Sequence, residues 1–498
     1  MVMNSRRPPQ QFPVTTYQLL LFSLAALACS LLSPATARPT ATALPVTEAP
    51  VASPTAPVAA PELSVLVPEN LSAGDPYAPA LGNSGYDVLR YTLRVALRPG
   101  VREVEATADI ELESTQAGLR QVSLDFIGFR IDSVTVDGAP AEYGRDARKL
   151  LVNLPQGLGA GAGATLTVAY RGQPDQEPSE YVPFVSHLGL HFEPDHIYVV
   201  SEPDGARFWF PANDHPRDKA VFRFEVVAPP GQTGVANGEL IETLAGTPAA
   251  FADGGPGDVY IWEHNFPMAT YQAMVAVGPY VRVDDTSPGG APLRHYLFEE
   301  DRANFEPYRA PIGEMVDWLS EQFGPYPFEA FGYVLVGNLG GALETQTMVV
   351  TDRASLSENI LAHELAHQWF GNWVSLDSWG EMWRSEGFAT YLAALWPDRG
   401  NPGRLAANLA AGIQRGPQSP FPMRNPPADQ LFGPAVYEEG ALLAGDLRQT
   451  MGDEAFYAGL RAYFAQYGGD TASDAEFQAV LEEAAGQSLE AVFARWLE

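Results

Sequence analysis

The stretch HELAHQWFGN, residues His363–Asn372, decides how the second half of the chain is interpreted. On an α-helix, positions i and i+4 lie on one face, so His363 and His367 present two imidazoles to one ion. Glu364 lies one position further round the helix, where it reaches a water on that ion without being a ligand itself. The pattern therefore predicts a metal-binding helix with a general base beside it.

A third ligand is predicted in the segment WRSEGFATY, Trp383–Tyr391. A zinc site of the peptidase type needs three protein ligands and one open position, and two histidines supply only two. Glu386 follows His367 at a spacing that lets a second helix, packed beside the first, deliver a carboxylate. Two imidazoles and one carboxylate suit one Zn²⁺ ion. A buried helix with paired histidines is the structural alternative, and the spacing of Glu386 disfavours it.

Composition sets the wider limits on the chain. A length of 498 residues is too large for one ordinary core and suggests two or three domains. The net charge of −31 makes nucleic acid or an anionic membrane surface an unsuitable partner. Cys29 is the single cysteine, which excludes an intramolecular disulfide.

The N-terminus has the layout of a secretory signal, with Arg6 and Arg7 ahead of a short apolar run, Leu19–Ala28. That run is too short for a comfortable membrane span. The segment Ala26–Cys29 resembles a bacterial lipobox, in which Cys29 would carry the lipid. Ordinary cleavage after Ala35–Ala37 and an uncleaved anchor are the alternatives. We favour an extracytoplasmic, cell-surface lipoprotein with a membrane tether at Cys29 over a freely secreted form.

The predicted domains are a signal at 1–29, a linker at 30–63, a β domain at 64–286 and a catalytic domain at 287–498. The linker is rich in Pro, Ala and Thr and cannot bury a core. The next region alternates apolar and polar residues with period two, as in YTLRVALRP, and Asp137-Gly138 marks a hairpin turn. These features predict an antiparallel saddle or sandwich.

After about Pro292 the apolar spacing becomes helical, and strand-like stretches such as Tyr333–Val336 precede the first motif helix. The expected fold class is thus multi-domain α+β, with an N-terminal antiparallel β domain followed by a mainly helical domain.

At this point the chain resembles the gluzincin metallopeptidases and, within them, the aminopeptidase N family. Gly341–Thr345 is similar to the family's Gly-x-Met-Glu-Asn exopeptidase motif, and Tyr437–Gly440 is similar to its Tyr-Glu-Lys-Gly stretch. Ser201-Glu202 occupies the place of the acid or amide that meets the substrate's amino terminus, and Pro267–Gly278 is similar to the end of the N-terminal domain. The resemblance covers residues 85–498 and implies a thermolysin-like catalytic domain in a short, two-domain form.

The resemblance implies a zinc aminopeptidase acting on peptides with a free N-terminus. It assigns the oxyanion-stabilising phenol to Tyr437, beside the base Glu364. Recognition of the substrate's α-ammonium group falls to Glu344 and Glu202. The remaining implied substrate-binding residues are Gly341 and Ala342.

Some positions depart from the family pattern or lack a function. Thr345 replaces an Asn, which predicts a change in how the first peptide group is held. Glu439 replaces a frequent Lys and is expected to add negative charge near Tyr437. Asp214 and His215 are expected to serve a turn or domain packing. The other histidines have no ligand spacing and are expected to be structural or exposed: His187, His191, His196, His264 and His295.

Two other functions compete with an aminopeptidase. A zinc endopeptidase would keep the metal ligands but lack a working amine site around Glu344 and Glu202. A non-catalytic surface binding protein would keep the fold without turnover, and the complete set of ligands, base and tyrosine argues against it. An epoxide hydrolase side activity has no separate support in the residues, and they leave the oligomeric state open.

Overall fold

The computed structural model describes residues 69–146, 148–399 and 403–498, with side chains omitted at 403–406. The predicted signal sequence with Cys29 and the predicted linker lie outside these residues and stay predictions. Across the described part of the chain, no helix combines the length and apolarity that a bilayer crossing requires.

The first part of the described chain is built from strands, as the period-two pattern predicts. In the first strand, Leu93 and Val95 are buried while Arg94 between them is partly exposed. The strands in chain order are β1 (Tyr86–Ala96), β2 (Val104–Ser114), β3 (Leu119–Asp125), β4 (Arg130–Val136), β5 (Ala139–Pro140), β6 (Tyr143–Arg145), β7 (Lys149–Leu158), β8 (Gly163–Gly172), β9 (Gly189–Phe192), β10 (Ile197–Val200), β11 (Lys219–Ala228), β12 (Thr233–Ala236), β13 (Glu239–Thr247), β14 (Gly257–Ala269), β15 (Val275–Gly278) and β16 (Tyr280–Thr286).

These strands form open sheets, of which the largest has the order β13-β14-β11-β1-β2-β8-β4-β5. Two smaller sheets, β12-β15-β10-β9 and β3-β7-β6, complete the β-rich half. The predicted Asp137-Gly138 turn is confirmed, since it joins β4 to β5 with φ of 50° and 77°. Positive φ at both central residues is the geometry that matches the twist of a two-residue hairpin.

A five-stranded sheet, β16-β17-β18-β20-β19, follows with β17 (Pro292–Phe298), β18 (Tyr333–Val336), β19 (Ala342–Leu343) and β20 (Val349–Asp352). Both faces of its strand β18 are buried. Val334 and Val336 belong to the core of the β-rich half, whereas Tyr333 and Leu335 belong to the core of the helical half. A strand buried on both faces reads as a continuous apolar run, which is the pattern in the sequence. The predicted boundary at 286/287 falls at the β16–β17 hairpin and stays a prediction.

The rest of the chain is mainly helical, and the two-part fold class is confirmed. The helices are α1 (Arg302–Phe323), α2 (Glu358–Ala366), α3 (Trp383–Leu395), α4 (Gly403–Arg415), α5 (Gly440–Met451), α6 (Asp453–Tyr467), α7 (Asp474–Ala485) and α8 (Glu490–Leu497), with the short strands β21 (Ser375–Leu376) and β22 (Thr471–Ala472) paired between them.

Candidate active site

Helix α2 carries the two predicted histidine ligands. Ser357 caps it, with the hydroxyl accepting a hydrogen bond from the amide of Ile360 at 3.3 Å. His363 and His367 then lie one turn apart, with their Nε2 atoms 3.0 Å from each other. The helical spacing in the sequence thus brings the two imidazoles together.

Helix α3 packs against α2 and supplies the third predicted ligand. The Glu386 carboxylate lies 3.0 Å from His363 Nε2 and 3.4 Å from His367 Nε2. Such separations fit three ligand atoms at about 2.0–2.2 Å from one zinc ion, and two nitrogens with one carboxylate oxygen is a donor set that zinc uses. The three predicted ligands therefore form one cluster that fits the metal.

Groups that contact His367 Nδ1, on the side away from the cluster, fix the tautomer of the ring. Its Nδ1 lies 3.2 Å from the carbonyl oxygen of Phe370 and 3.0 Å from the Ser385 hydroxyl. Since a carbonyl oxygen only accepts, Nδ1 carries the hydrogen and Nε2 offers its lone pair to the cluster. Ser385 was not predicted as a site residue, and its position next to Glu386 is the only signal for it in the sequence.

Tyr437 lies at the edge of the ligand cluster. It sits in a π-helical turn, Ala435–Glu439, ahead of α5, and its hydroxyl donates to the second oxygen of Glu386 at 2.8 Å. The approach depends on glycines, because a Cβ on Gly387 would lie 2.6 Å from the Cα of Gly440. Burial, followed by the charge of Glu386, raises the pKa of Tyr437 well above its usual value. The phenol is therefore a neutral donor at physiological pH.

Glu364 faces the same space. It is buried, and one of its oxygens lies within 4.8 Å of ligand atoms of Glu344 and His367. Burial raises the pKa of Glu364 well above its usual range; His367 opposes this effect, and the charges of Glu344 and Glu386 add to it. The carboxyl group is thus placed to hold a proton beside the ligands.

The two predicted amine-binding acids come together from the two halves of the chain. Glu202 follows β10 and Glu344 follows β19, and each offers an oxygen within 4.8 Å of Glu386. Both side chains are buried, and Oε1 of each has no hydrogen-bond partner. Burial, followed by the charge of Glu344, raises the pKa of Glu202 well above its usual range. The pair forms an acceptor site that suits a cation with several N–H donors.

Gly341 immediately precedes strand β19 and Ala342 begins it, just ahead of Glu344; β19 is the outer strand of its sheet. Ala342 pairs with Thr351, and the Gly341 carbonyl accepts from the amide of Asp352 at 2.8 Å. Both residues are partly exposed. An outer strand keeps unpaired backbone groups on its free edge, where an extended peptide can add by hydrogen bonding.

The two departures from the motif, Thr345 and Glu439, hydrogen-bond to loop backbone. Thr345 is 1% exposed, and its hydroxyl donates to the carbonyl of Met348 within the same loop. The carboxylate of Glu439 accepts from the amides of Gln418 and Ser419 at 2.5 and 2.6 Å. Both side chains thus hold loop backbone, and the expected effects on the substrate's peptide group and on the charge near Tyr437 stay predictions.

The packing role expected of Asp214 and His215 is borne out. His215 Nε2 lies 3.1 Å from the carboxylate of Asp75, which also accepts from the Ser378 hydroxyl and the Trp379 amide at 2.7 and 3.0 Å. Asp214 accepts from the Thr270 hydroxyl at 2.8 Å. Asp75 was not predicted, because nothing local in its sequence marks it. The five other histidines join no three-residue group of metal-ligating side chains among the described residues.

Fold and site together define a chain with a β-rich half, a helical half and a candidate zinc site, and comparison with known proteins gives the family. The model of the peptidase M1 N-terminal domain matches residues 87–272, and that of the peptidase family M1 domain matches residues 307–496. The chain belongs to peptidase family M1.

The relatives support this assignment. The probable aminopeptidase 1 of Sulfurisphaera tokodaii is 25% identical over 76% of this chain and 49% of its own length. Aminopeptidase N of Streptomyces lividans is 28% identical over 61% of this chain and 38% of its own length. The chain thus spans about half, or less, of these curated relatives. The M1 zinc metallopeptidase of Deinococcus radiodurans, in a mutant form bound to a Tyr-Ser-Ala substrate, has a TM-score of 0.78 at 29% identity, covering 86% of this chain and 97% of that one.

Proposed function

We propose that the protein is a zinc-dependent aminopeptidase that releases single amino acids from the free N-terminus of peptides. One observation carries the proposal: Glu202 and Glu344 are buried beside the ligand cluster, each with an oxygen that lacks a partner. A protonated α-amine has three N–H donors and a positive charge that match these oxygens. Binding the amine there fixes cleavage at one residue from the end.

One zinc ion would be held by His363, His367 and Glu386. When bound, zinc polarises the scissile carbonyl and lowers the pKa of a water toward neutrality. The separations of 3.0 to 3.4 Å between the three ligand atoms support this role. The zinc metallopeptidase neighbours support it as well.

Glu364 takes the proton of the attacking water and delivers it to the leaving amine. Its buried carboxyl group lies on the ligand-bearing helix, close to both His367 and Glu344. Tyr437 donates its phenolic hydrogen to the oxygen of the tetrahedral intermediate, turning from the Glu386 oxygen that it contacts at 2.8 Å. The free edge of β19, at Gly341 and Ala342, binds the extended substrate backbone.

The solved neighbours support peptides as the substrate. One contains a Tyr-Ser-Ala substrate, and related two-domain structures contain L-tryptophan and L-arginine. By analogy, the first substrate residue of this protein is variable in size and charge. Both relatives named as aminopeptidases are consistent with release of that residue.

A paired assay tests the proposed activity. The purified full chain is expected to hydrolyse leucine p-nitroanilide but not its N-acetylated form, since acetylation removes the amine charge. A chelator should abolish activity, zinc should restore it, and metal analysis should find one zinc per chain. Equal cleavage of free and N-acetylated substrates would contradict the proposal and leave a zinc endopeptidase. A metal-free protein without hydrolysis would indicate a binding protein.

We also propose that the protein works outside the cytoplasm, tethered through a lipid on Cys29. The support is the signal-like N-terminus and the single cysteine at the end of its apolar run. Fractionation of cells should find the protein with membranes, and Cys29→Ala should release it to the soluble fraction. Unchanged membrane association of the variant would contradict lipidation.

A further inference from the structure

The backbone of Glu344 is held by a side chain that lies just beyond the metal-binding helix. Asn372, the last residue of the HELAHQWFGN stretch, is fully buried and donates its amide hydrogen to the Glu344 carbonyl at 2.7 Å. Gln368, one residue after His367, has its amide nitrogen 3.5 Å from the same carbonyl. The loop that carries the amine-binding acid is thus attached to the segment that carries the metal ligands.

A residue of the β-rich half fixes Asn372 in turn. Gln272 is fully buried, and its amide nitrogen donates to Asn372 Oδ1 at 2.6 Å and to the Gly371 carbonyl at 3.0 Å. This contact leaves Asn372 in one orientation, with its own NH₂ group toward Glu344. We call the chain of hydrogen bonds from Gln272 through Asn372 to the Glu344 carbonyl the amide relay.

Other hydrogen bonds hold the far end of the same loop. Asn237 Nδ2 donates to the Gln346 carbonyl at 2.7 Å and to the Gln272 carbonyl at 3.0 Å. Thr347 has a positive φ of 67°, and its amide donates to Gln368 Oε1 at 2.9 Å. A non-glycine residue with positive φ persists where its surroundings over-determine it. The loop therefore has little freedom, and the relay sets the position of the end nearer the ligands.

We infer that Gln272 is a positioning residue of the β-rich half that, through Asn372, sets the distance between the Glu344 carboxylate and the metal ligands. Cleavage one residue from the substrate's N-terminus then depends on the contact between the two halves of the chain. The inference rests on the proposed aminopeptidase function. It assigns to Gln272 a role in amine binding and none in the chemical step.

Gln272→Met tests the relay, because methionine keeps the length of the side chain and removes the donor. Loss of the buried hydrogen bond weakens the hold on the Glu344 backbone, so KM for leucine p-nitroanilide should rise about tenfold, which corresponds to about 1.4 kcal/mol. The value of kcat should stay within about twofold, because the amine is bound in both the ground state and the transition state. The inhibition constant of free L-leucine should rise in parallel with KM, and the zinc content should not change.

Two further variants separate positioning from a general loss of structure. Asn372→Asp keeps the shape but cannot donate to the Glu344 carbonyl, so it should raise KM in the same way. It also serves if Gln272→Met does not fold. Gln121→Met is the matched control, since Gln121 is a buried amide of the β-rich half that contacts Asn153 at 3.1 Å. It should leave KM and kcat unchanged.

The outcomes are distinct. An unchanged KM in both relay variants, or a fall in kcat alone with no change in the L-leucine inhibition constant, overturns the inference. If the wild-type protein cleaves free and N-acetylated substrates equally, the proposed function itself fails. If the wild type is selective and the relay variants match Gln121→Met, only the relay is wrong.

Discussion

The proposed metal-ligand cluster and the proposed amine-binding pair lie side by side but are assembled in different ways. His363 and Glu386, the outermost members of the cluster, are 23 residues apart on two packed helices. Glu202 and Glu344 come from the two halves of the chain and meet only in the folded protein. The first site is specified by local spacing and the second by the contact between the halves. Substitutions in the cluster should therefore impair the chemical step, and substitutions in the acid pair should impair selectivity for a free N-terminus.

The largest effect is expected from a change on the metal side. Glu364→Gln keeps the shape of the side chain but removes the proton acceptor, so kcat should fall about 10³-fold. Zinc content and the inhibition constant of L-leucine should be unchanged, because neither the ligands nor the amine site is altered. Steady-state kinetics and metal analysis on the same sample measure both. A variant with full activity would refute the assignment of the base.

A substitution in the acid pair Glu202 and Glu344 should have a smaller effect, which is confined to amine recognition. Glu344→Gln removes a charge-assisted contact, so kcat/KM for leucine p-nitroanilide should fall about 100-fold. Zinc content should again be unchanged. Glu225→Gln, on the outer face of the β-rich half, is the control and should behave like the wild type. Equal activity of Glu344→Gln and this control would place amine recognition elsewhere.

The contact between the halves should matter for stability. Asp75 is fully buried and links His215 to Ser378 and the Trp379 amide. Asp75→Asn loses the charge and one acceptor, which should lower the free energy of unfolding by about 2 kcal/mol. Denaturant unfolding at constant protein concentration gives the value. A change below about 0.5 kcal/mol, the range of ordinary surface substitutions, would show that this link is dispensable.

A dependence of stability on pH is expected from the β-rich half. Burial, followed by the charge of Asp87, raises the pKa of Asp218 to about 8. The folded state therefore keeps a proton that the unfolded chain releases above about pH 4, so folding takes up a proton in this window. As pH rises from about 4 to about 8, the free energy of unfolding should fall. Asp218→Asn should make the fall shallower, and an identical slope in both proteins would contradict the shifted pKa.

Much of the fold was predictable because the periodicities are local. Period-two segments become strands, as in β1, and the Asp137-Gly138 turn has the positive φ values that its residue types favour. Helix α4 was not predicted, although Leu405, Leu409 and Ile413 recur at helical spacing. The fully buried strand β18 was recognisable from its apolar run, but its two faces serve different cores, which only packing shows.

The residues of the candidate site likewise divide into those that local spacing predicts and those that it does not. His363, His367, Glu364 and Glu386 followed from helical spacing, whereas Tyr437, Glu344 and Glu202 required the family resemblance. The sequence did not predict the contacts of Thr345 and Glu439, because a residue type gives no direction for a side chain. The Thr345 hydroxyl donates to a carbonyl of its own loop, and the Glu439 carboxylate accepts from amides of a neighbouring loop.

The sequence by itself determined the cluster of proposed metal ligands and the order of a β-rich and a helical half, because a helix converts spacing directly into a shared face. Only the tertiary structure decided how Glu202 approaches Glu344, and how Gln272 reaches Asn372. These contacts join residues that are distant in the chain. Their geometry depends on how two cores pack, and no local pattern encodes it.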